Sequence, residues 1–173
     1  MIVILMGYMG SGKSTISKEL ATVLNFSFLD LDDYIINKES ASISELFKTK
    51  GEIYFRKKET AYLKELTSSK NNYVIALGGG TPCYGNNIEL LVNNPNVVSF
   101  YLKLSIPSLA QRLFTEREKR PLISHLETEA MLLEFIGKHV FERVQYYTKA
   151  NHTISTDNKS KQEVVEQIVM NLI

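Results

Sequence analysis

Eight residues near the start of the chain carry the clearest chemistry: Gly7-Tyr8-Met9-Gly10-Ser11-Gly12-Lys13-Ser14, which fits the pattern G-x-x-x-x-G-K-[ST]. Glycines allow the backbone to curl so that several N–H groups point inward at a triphosphate. In this pattern the lysine reaches the β and γ phosphates, and the hydroxyl after it can ligate Mg²⁺. The motif therefore predicts nucleotide-phosphate binding by Lys13 and Ser14. The plainer interpretation is a glycine-serine turn that precedes a helix.

A second group of candidate residues is acidic and follows the second predicted strand, in Asp30-Leu31-Asp32-Asp33. In an extended chain Asp30 and Asp32 point to the same side. Beside a phosphate loop, one carboxylate could hold Mg²⁺ and the other could accept a hydrogen bond from an attacking hydroxyl. The alternative is that Asp32 or Asp33 caps the next helix, and for Asp33 we favour that interpretation.

Three consecutive glycines, Gly78-Gly79-Gly80, follow the third predicted strand. They are costly to order unless something approaches the backbone closely, and a bound substrate would be one reason. An irregular turn is the alternative.

Arg56 and Arg143 are two of only five arginines, and a guanidinium binds a carboxylate or phosphate through two parallel hydrogen bonds. For either arginine taken alone, a surface ion pair is the favoured interpretation.

The segment 115–127 is rich in charge, lacks a clear apolar face and contains Arg120-Pro121. It is either a mobile lid that closes over a nucleotide or a solvated helix end with a surface loop. The three histidines and Cys83 have no metal-ligand spacing, and no base pattern supports Cys83 as a nucleophile, so we assign them no catalytic role.

The elements that must position these residues alternate between strand and helix. We predict strands at 2–6, 26–30, 73–77, 97–102 and 152–155, and helices near 13–24, 33–50, 52–69, 86–93, 105–115, 127–149 and 160–172. Such alternation predicts an α/β fold with a parallel sheet and helices on both faces, in one domain over 1–173. Ligands of such folds collect at the carboxyl ends of the strands, which the phosphate loop, the aspartates and the glycine triple follow.

Composition limits the functional classes. The net charge of +1 provides no broad basic face, so we expect no nucleic-acid partner. No apolar run approaches the roughly 18 residues of a membrane span, and the N-terminus has no signal-peptide pattern. The single cysteine cannot form an internal disulfide, which suggests a reducing compartment. We expect a cytoplasmic monomer without a membrane partner.

Taken together, the motifs resemble those of the shikimate kinase family over essentially the whole chain. The matching segments are Gly7–Thr15, Leu29-Asp30-Leu31-Asp32, Gly51-Glu52-x-x-Phe55-Arg56-x-x-Glu59, Gly78-Gly79-Gly80, Arg120-Pro121-Leu122 and Arg143-x-x-x-Tyr147. The phosphate loop alone would admit many families, whereas the ordered set is specific. Thr81-Pro82-Cys83 and Glu116–Lys119 depart from the pattern.

The resemblance implies a three-layer α/β/α phosphate-loop fold with a five-stranded parallel sheet in the order 2-3-1-4-5 and a mobile lid near 115–127. It implies transfer of the γ-phosphoryl group of ATP, with Mg²⁺, to the 3-hydroxyl of shikimate, in the biosynthesis of chorismate and aromatic amino acids.

The resemblance also implies roles for individual residues. Asp32, Lys13 and Arg120 would be catalytic, with Asp32 as the candidate base, and Ser14 and Asp30 would serve Mg²⁺. The nucleotide would be bound by Gly10, Ser11, Gly12, Lys13, Ser14, Thr15, Arg112 and Arg120. Shikimate would be bound by Asp32, Arg56, Gly78, Gly79, Gly80 and Arg143. By a looser correspondence, Arg117 would also act in the lid.

Two other functions remain open from the sequence. The first is another small-molecule kinase of the same fold, such as a gluconate or nucleoside monophosphate kinase, although those acceptors do not obviously require Arg56, Arg143 and the glycine triple together. The second is a nucleotide-dependent switch. The nearest match to the guanine-binding [NT]-K-x-D motif begins at Asn158-Lys159, and its fourth residue is Lys161 instead of Asp.

Overall fold

A parallel sheet of five strands forms the centre of the protein, whose computed structural model describes residues 1–173. The strands are β1 (Ile2–Met6), β2 (Ser27–Asp30), β3 (Tyr73–Ala76), β4 (Val97–Lys103) and β5 (His152–Ser155), in the order β2-β3-β1-β4-β5. All four pairings are parallel. The predicted fold class and strand order are therefore confirmed.

The central strand β1 explains why helices cover both faces. Its five residues are all apolar and fully buried. Successive side chains of a strand point to opposite faces. Ile2, Ile4 and Met6 accordingly belong to one hydrophobic core, whereas Val3 and Leu5 belong to a second, smaller one. A strand that is apolar on both faces requires a core on each side of the sheet.

Seven helices complete the layers. They are α1 (Lys13–Leu24), α2 (Leu31–Glu39), α3 (Ile43–Thr67), α4 (Asn87–Val92), α5 (Ile106–Glu116), α6 (Glu129–Tyr147) and α7 (Lys161–Met170). Short 3₁₀ turns lie at Thr81–Cys83 and Arg117–Lys119. The Ser160 side chain and Glu163 form a reciprocal capping box at the start of α7. None of these helices combines the length and apolarity that a membrane crossing requires.

The prediction of one helix over 33–50 is wrong. The chain leaves helical conformation at Ser40, which has a φ of 53°, and α3 begins after Ser42, whose hydroxyl accepts a hydrogen bond from the Glu45 N–H at 3.2 Å. Gly51, where we predicted a helix to end, has a φ of 83° and kinks α3 without a connecting loop. The left-handed conformation of Ser40 ends the first helix, and the cap at Ser42 starts the second.

Candidate active site

The phosphate-loop motif connects β1 to α1 at the carboxyl edge of the sheet. Gly10 has a φ of 79°, and Gly12, the N-cap of α1, has a φ of 92°. This left-handed conformation is open to glycine at little cost. The loop therefore delivers its N–H groups and the positive end of a 12-residue helix to one place, which is the arrangement that binds phosphate.

Lys13 is buried within this loop. Its ammonium donates hydrogen bonds of 2.9 Å to the carbonyl oxygens of Gly7 and Tyr8. Burial lowers the pKa of Lys13 to about 8, against the opposing effects of Asp32 and Asp30. The two carboxylates only partly offset that burial, and phosphate oxygens could supply further counter-charge.

Two further observations fit a phosphorylated ligand. The Ser11 hydroxyl is buried and has no hydrogen-bond partner. The Arg112 guanidinium donates to the Gly10 carbonyl at 3.3 Å, and Thr15 lies exposed in the first turn of α1. A buried polar group without a partner is uncommon, and ligand oxygens are one way to satisfy it.

The predicted magnesium ligands lie in contact. The Ser14 hydroxyl donates to Asp30 Oδ2 at 2.8 Å. No group of three His, Cys, Asp or Glu side chains forms a cluster that could hold a metal ion by itself. One hydroxyl and one carboxylate nevertheless suit Mg²⁺, which usually takes few protein ligands and completes its shell with water and substrate phosphates.

Asp30 also caps α2, a role that we assigned to Asp33. Its Oδ1 accepts a hydrogen bond from the Asp32 N–H at 3.1 Å, and α2 begins at Leu31. The expectation that Asp33 caps the helix, and the extended geometry assumed for Asp32, are both wrong. Asp30 has the extended dihedral angles of an N-cap, so the helix starts two residues earlier than predicted.

Asp32 lies in the first turn of α2, and its electrostatic environment is unusual. Burial, followed by the negative charges of Asp30 and Glu59, raises the pKa of Asp32 from 3.8 to about 6, while Lys13 and Arg56 act in the opposite direction. A carboxyl group with a pKa near the working pH can accept a proton efficiently. Such shifts are typical of functional sites.

The glycine triple brings Asp32, Arg143 and Arg56 together, one beside each glycine. A Cβ atom on Gly78 would lie 3.1 Å from Asp32 Oδ1, one on Gly79 would lie 3.5 Å from Arg143 Nη1, and one on Gly80 would lie 3.0 Å from Arg56 Nη2. The glycines therefore provide space for three charged side chains that come from α2, α6 and α3.

The two arginines differ in how they are held. Arg56 Nη1 donates to Glu59 at 2.8 Å, and the Arg56 guanidinium carbon lies 3.7 Å from the centroid of the Tyr84 ring. Arg143 is half-buried and has no ion-pair partner. A half-buried guanidinium without a carboxylate partner is a good anchor for an anionic ligand.

An open cavity of about 410 Å³ connects the nucleotide and acceptor residues. Its lining combines phosphate-loop and acidic residues with glycines and side chains near the predicted lid: Met9, Gly10, Gly12, Lys13, Ser14, Thr15, Asp30, Asp32, Leu77, Gly78, Gly79, Arg112, Glu116 and Arg120. Arg56 and Arg143 do not line it, and they contact the glycine triple beside it.

The segment 115–127 is anchored by apolar residues that its sequence did not reveal. Ile123 is fully buried and Leu126 is 7% exposed, and both belong to the larger core. Arg120 lines the cavity, but its Nε and Nη2 donate to Glu116 Oε2 at 3.1 and 2.7 Å. Arg117 donates to the Phe114 carbonyl at 3.1 Å and does not line this cavity.

The sequence placed Glu59 and Tyr147 in family motifs but indicated no role for them, and sequence reasoning missed the polar contacts that support the site. Glu59 is 1% exposed and accepts a 2.6 Å hydrogen bond from the Thr81 hydroxyl, and the Tyr147 hydroxyl donates to the Gly79 carbonyl at 2.6 Å. The spacing of three between Arg56 and Glu59 on a helix could have indicated their ion pair. His139 is hydrogen-bonded to the Tyr8 hydroxyl at 2.9 Å, and Cys83 is half-buried with its pKa raised to about 11 by burial.

Comparisons by family model, by sequence and by structure all match the chain to shikimate kinases. The family model described as shikimate kinase matches residues 9–173. The chain is 47% identical to the shikimate kinase of Flavobacterium johnsoniae, with 96% of both chains covered. The crystal structure of the Bacteroides thetaiotaomicron shikimate kinase superimposes with a TM-score of 0.88 at 31% identity, over 99% of this chain and 97% of that one. An Acinetobacter baumannii shikimate kinase in complex with shikimate gives a TM-score of 0.82 at 32% identity, over 99% and 92%.

Proposed function

The chain belongs to the shikimate kinase family and is an enzyme that phosphorylates shikimate with ATP. We propose that the 3-hydroxyl of shikimate receives the phosphoryl group and that the residues described above bind the reactants and carry out the transfer. This membership also decides against the nucleotide switch and the other acceptors that the sequence had left open. A cytoplasmic location and a monomeric state remain predictions from the sequence.

One observation carries the residue assignment: Asp32, Arg143 and Arg56 each lie beside a successive glycine of one loop. A small acid that bears both a carboxylate and hydroxyl groups needs a cationic grip and a hydrogen-bond acceptor only a few ångströms apart. Arg143 and Arg56 would bind the shikimate carboxylate, and Asp32 would accept a hydrogen bond from the hydroxyl that reacts. The backbone of the glycine triple would lie against the ring.

The donor half of the site would hold the triphosphate through backbone N–H groups and the start of α1. Lys13 would exchange its two carbonyl acceptors for phosphate oxygens, whose negative charge would raise the pKa of Lys13 from about 8 toward its usual value. Ser14 and Asp30 would hold Mg²⁺, which supplies positive charge against the phosphate oxygens when it is bound.

Transfer needs in-line positioning and charge stabilisation more than covalent help from the protein. Asp32 would take up the hydroxyl proton as the bond to phosphorus forms. Arg120 would leave Glu116 and contact the phosphates as the segment 115–127 closes. That exchange is inexpensive, because the Arg120–Glu116 pair is largely solvent-exposed, and such pairs contribute only about 0–1 kcal/mol.

The test is ADP release in a coupled assay with shikimate and with analogues that lack either the carboxylate or the 3-hydroxyl. We expect turnover only with acceptors that retain the 3-hydroxyl, and a greatly raised KM when the carboxylate is absent. Transfer to an analogue without the 3-hydroxyl would contradict the proposed regiochemistry.

Arg143→Ala tests the carboxylate grip. Each charge-assisted hydrogen bond contributes about 1.5–3 kcal/mol, so the KM for shikimate should rise at least about 10-fold. Lys138→Ala is the matched control, because Lys138 lies on the same helix, has a side chain 74% exposed and pairs only with Glu134. If both variants had the same KM for shikimate, Arg143 would have no part in the grip.

A further inference from the structure

Tyr84 lies directly after the segment Thr81-Pro82-Cys83, where the sequence departs from the family pattern. Its ring centroid is 3.7 Å from the Arg56 guanidinium carbon, which places the guanidinium in close cation–π contact over the aromatic face. The Phe55 ring is more distant, at 5.2 Å. Tyr84 is therefore the aromatic residue in closest contact with this arginine.

The stacked arrangement leaves part of the guanidinium available. Arg56 Nη1 is occupied by Glu59, Nη2 has no hydrogen bond to protein, and Nε is buried without a hydrogen-bond partner. Glu52 approaches Nε only to 3.7 Å. A ring on the face of the group fixes its plane but takes none of its N–H donors, so Nη2 remains free for a carboxylate.

Buried polar contacts fix the positions of Tyr84 and Glu59 relative to each other. The Thr81 hydroxyl donates to Glu59 at 2.6 Å, and Asn87 Nδ2 donates to the Thr81 carbonyl at 2.9 Å. The Asn87 N–H also donates to the Tyr84 carbonyl at 3.3 Å. Glu59, Thr81 and Asn87 are all at most 1% exposed. A fully satisfied buried network of this kind is rigid, so the Tyr84 backbone has a defined position.

Without the ring, the guanidinium would lose its support on one side. An open groove of about 550 Å³ is lined by Arg56, Tyr84 and Ile53, among others, and the Ile53 side chain is highly exposed. Removal of the Tyr84 ring would enlarge this groove next to Arg56. The arginine could then adopt other rotamers that point toward Glu52 or solvent.

We propose that Tyr84 is a positioning residue for the acceptor site: its ring sets the plane of the Arg56 guanidinium that binds the shikimate carboxylate. This inference rests on the proposed function of Arg56. The Tyr84 hydroxyl makes no hydrogen bond in the structure. The aromatic face therefore carries the effect, and phenylalanine should replace tyrosine at this position.

The experiment compares steady-state kinetics of Tyr84→Ala, Tyr84→Phe and wild type. Cation–π contacts of this kind predict a KM for shikimate about 3- to 30-fold higher in Tyr84→Ala, with kcat and the KM for ATP unchanged. Tyr84→Phe should stay within about twofold of wild type in every parameter. Phe141→Ala, at an aromatic residue 81% exposed on α6, is the surface control.

Two outcomes would overturn the proposal. One is an unchanged KM for shikimate in Tyr84→Ala, and the other is an equally raised KM for shikimate in Tyr84→Phe. If Tyr84→Ala does not fold, Tyr84→Leu replaces it in the comparison. Leucine fills the groove without an aromatic face, so this variant should show the same raised KM for shikimate. Failure of the proposed function is distinguishable, since wild type itself would then show no discrimination against the analogue that lacks a carboxylate.

Discussion

Two glycine-rich loops lie at the ends of the neighbouring strands β1 and β3, and they use glycine for different physical reasons. In the phosphate loop, Gly10 and Gly12 have φ values of 79° and 92°, a conformation that other residues rarely adopt. In the glycine triple no φ is positive, and Gly80 has a φ of −89°. There the missing side chain matters, because Asp32, Arg143 and Arg56 occupy the space beside it.

The difference reflects what each loop binds. The donor loop presents its own backbone to phosphate, so a short contiguous motif contains most of the site. The acceptor loop is a surface against which side chains from three separate helices converge. We therefore expect the donor and acceptor functions to be damaged separately, and four experiments test that expectation.

Asp32→Asn should have the largest effect, a fall in kcat of about 10²- to 10⁴-fold, because asparagine cannot accept the hydroxyl proton. The ATP dissociation constant should be nearly unchanged. Since the folded-state pKa of Asp32 is raised, its ionised form destabilises the protein at pH 7, and the variant should be at least as stable as wild type. Calorimetric ATP titration and thermal unfolding supply these readouts. Wild-type turnover in this variant would remove Asp32 from the base role.

Gly12→Ala tests the conformational requirement by itself, since the nearest atoms to a new Cβ are 3.9 Å away. The left-handed conformation costs a residue with a side chain about 1–2 kcal/mol, so ATP binding should weaken about 5- to 30-fold. The KM for shikimate should not change. Gly51→Ala is the control, because Gly51 also has a positive φ and open space around it but lies outside the phosphate loop. Equal loss of ATP affinity in both variants would indicate general destabilisation.

The pH dependence of kcat/KM for shikimate should report Asp32. The active form is the carboxylate, and its pKa is about 6 because burial and the charge of Asp30 disfavour ionisation. Activity should therefore be full above that pH and fall by about 10-fold per unit below it. ATP affinity measured over the same range corrects for protonation of the triphosphate. An apparent pKa near 4 would mean that Asp32 has an ordinary environment when it acts.

Gly80→Ala should have the smallest effect and tests the spatial requirement by itself. Its backbone conformation is open to any residue, but the new Cβ would lie 3.0 Å from Arg56 Nη2 and displace that guanidinium. We expect a KM for shikimate about 3- to 10-fold higher, with an unchanged KM for ATP. Gly137→Ala, in α6 with nothing within 4 Å, should leave both KM values unchanged and stabilise the helix by about 0.5–1 kcal/mol. A change in the KM for ATP would contradict the expectation that the two loops act separately.

Local sequence signals predicted some features well and others poorly. The five strands and the phosphate loop follow from short-range patterns, and the structure has them. The start of α2 was misplaced because three nearby aspartates compete for one cap, and only the backbone angles at Asp30 decide it. The anchoring of Ile123 and Leu126 was missed because a segment rich in charge hides two isolated apolar residues.

By itself, the sequence determined the fold class, the donor loop and the set of rare arginines, because each depends on residues that are close in the chain or on overall residue usage. The resemblance to a family supplied the strand order and the acceptor. Only the tertiary structure decided that Arg56 is paired with Glu59 and stacked on Tyr84 while Arg143 has no ion-pair partner. Those contacts join residues from separate elements, and burial sets their energies, which no local pattern of residues contains.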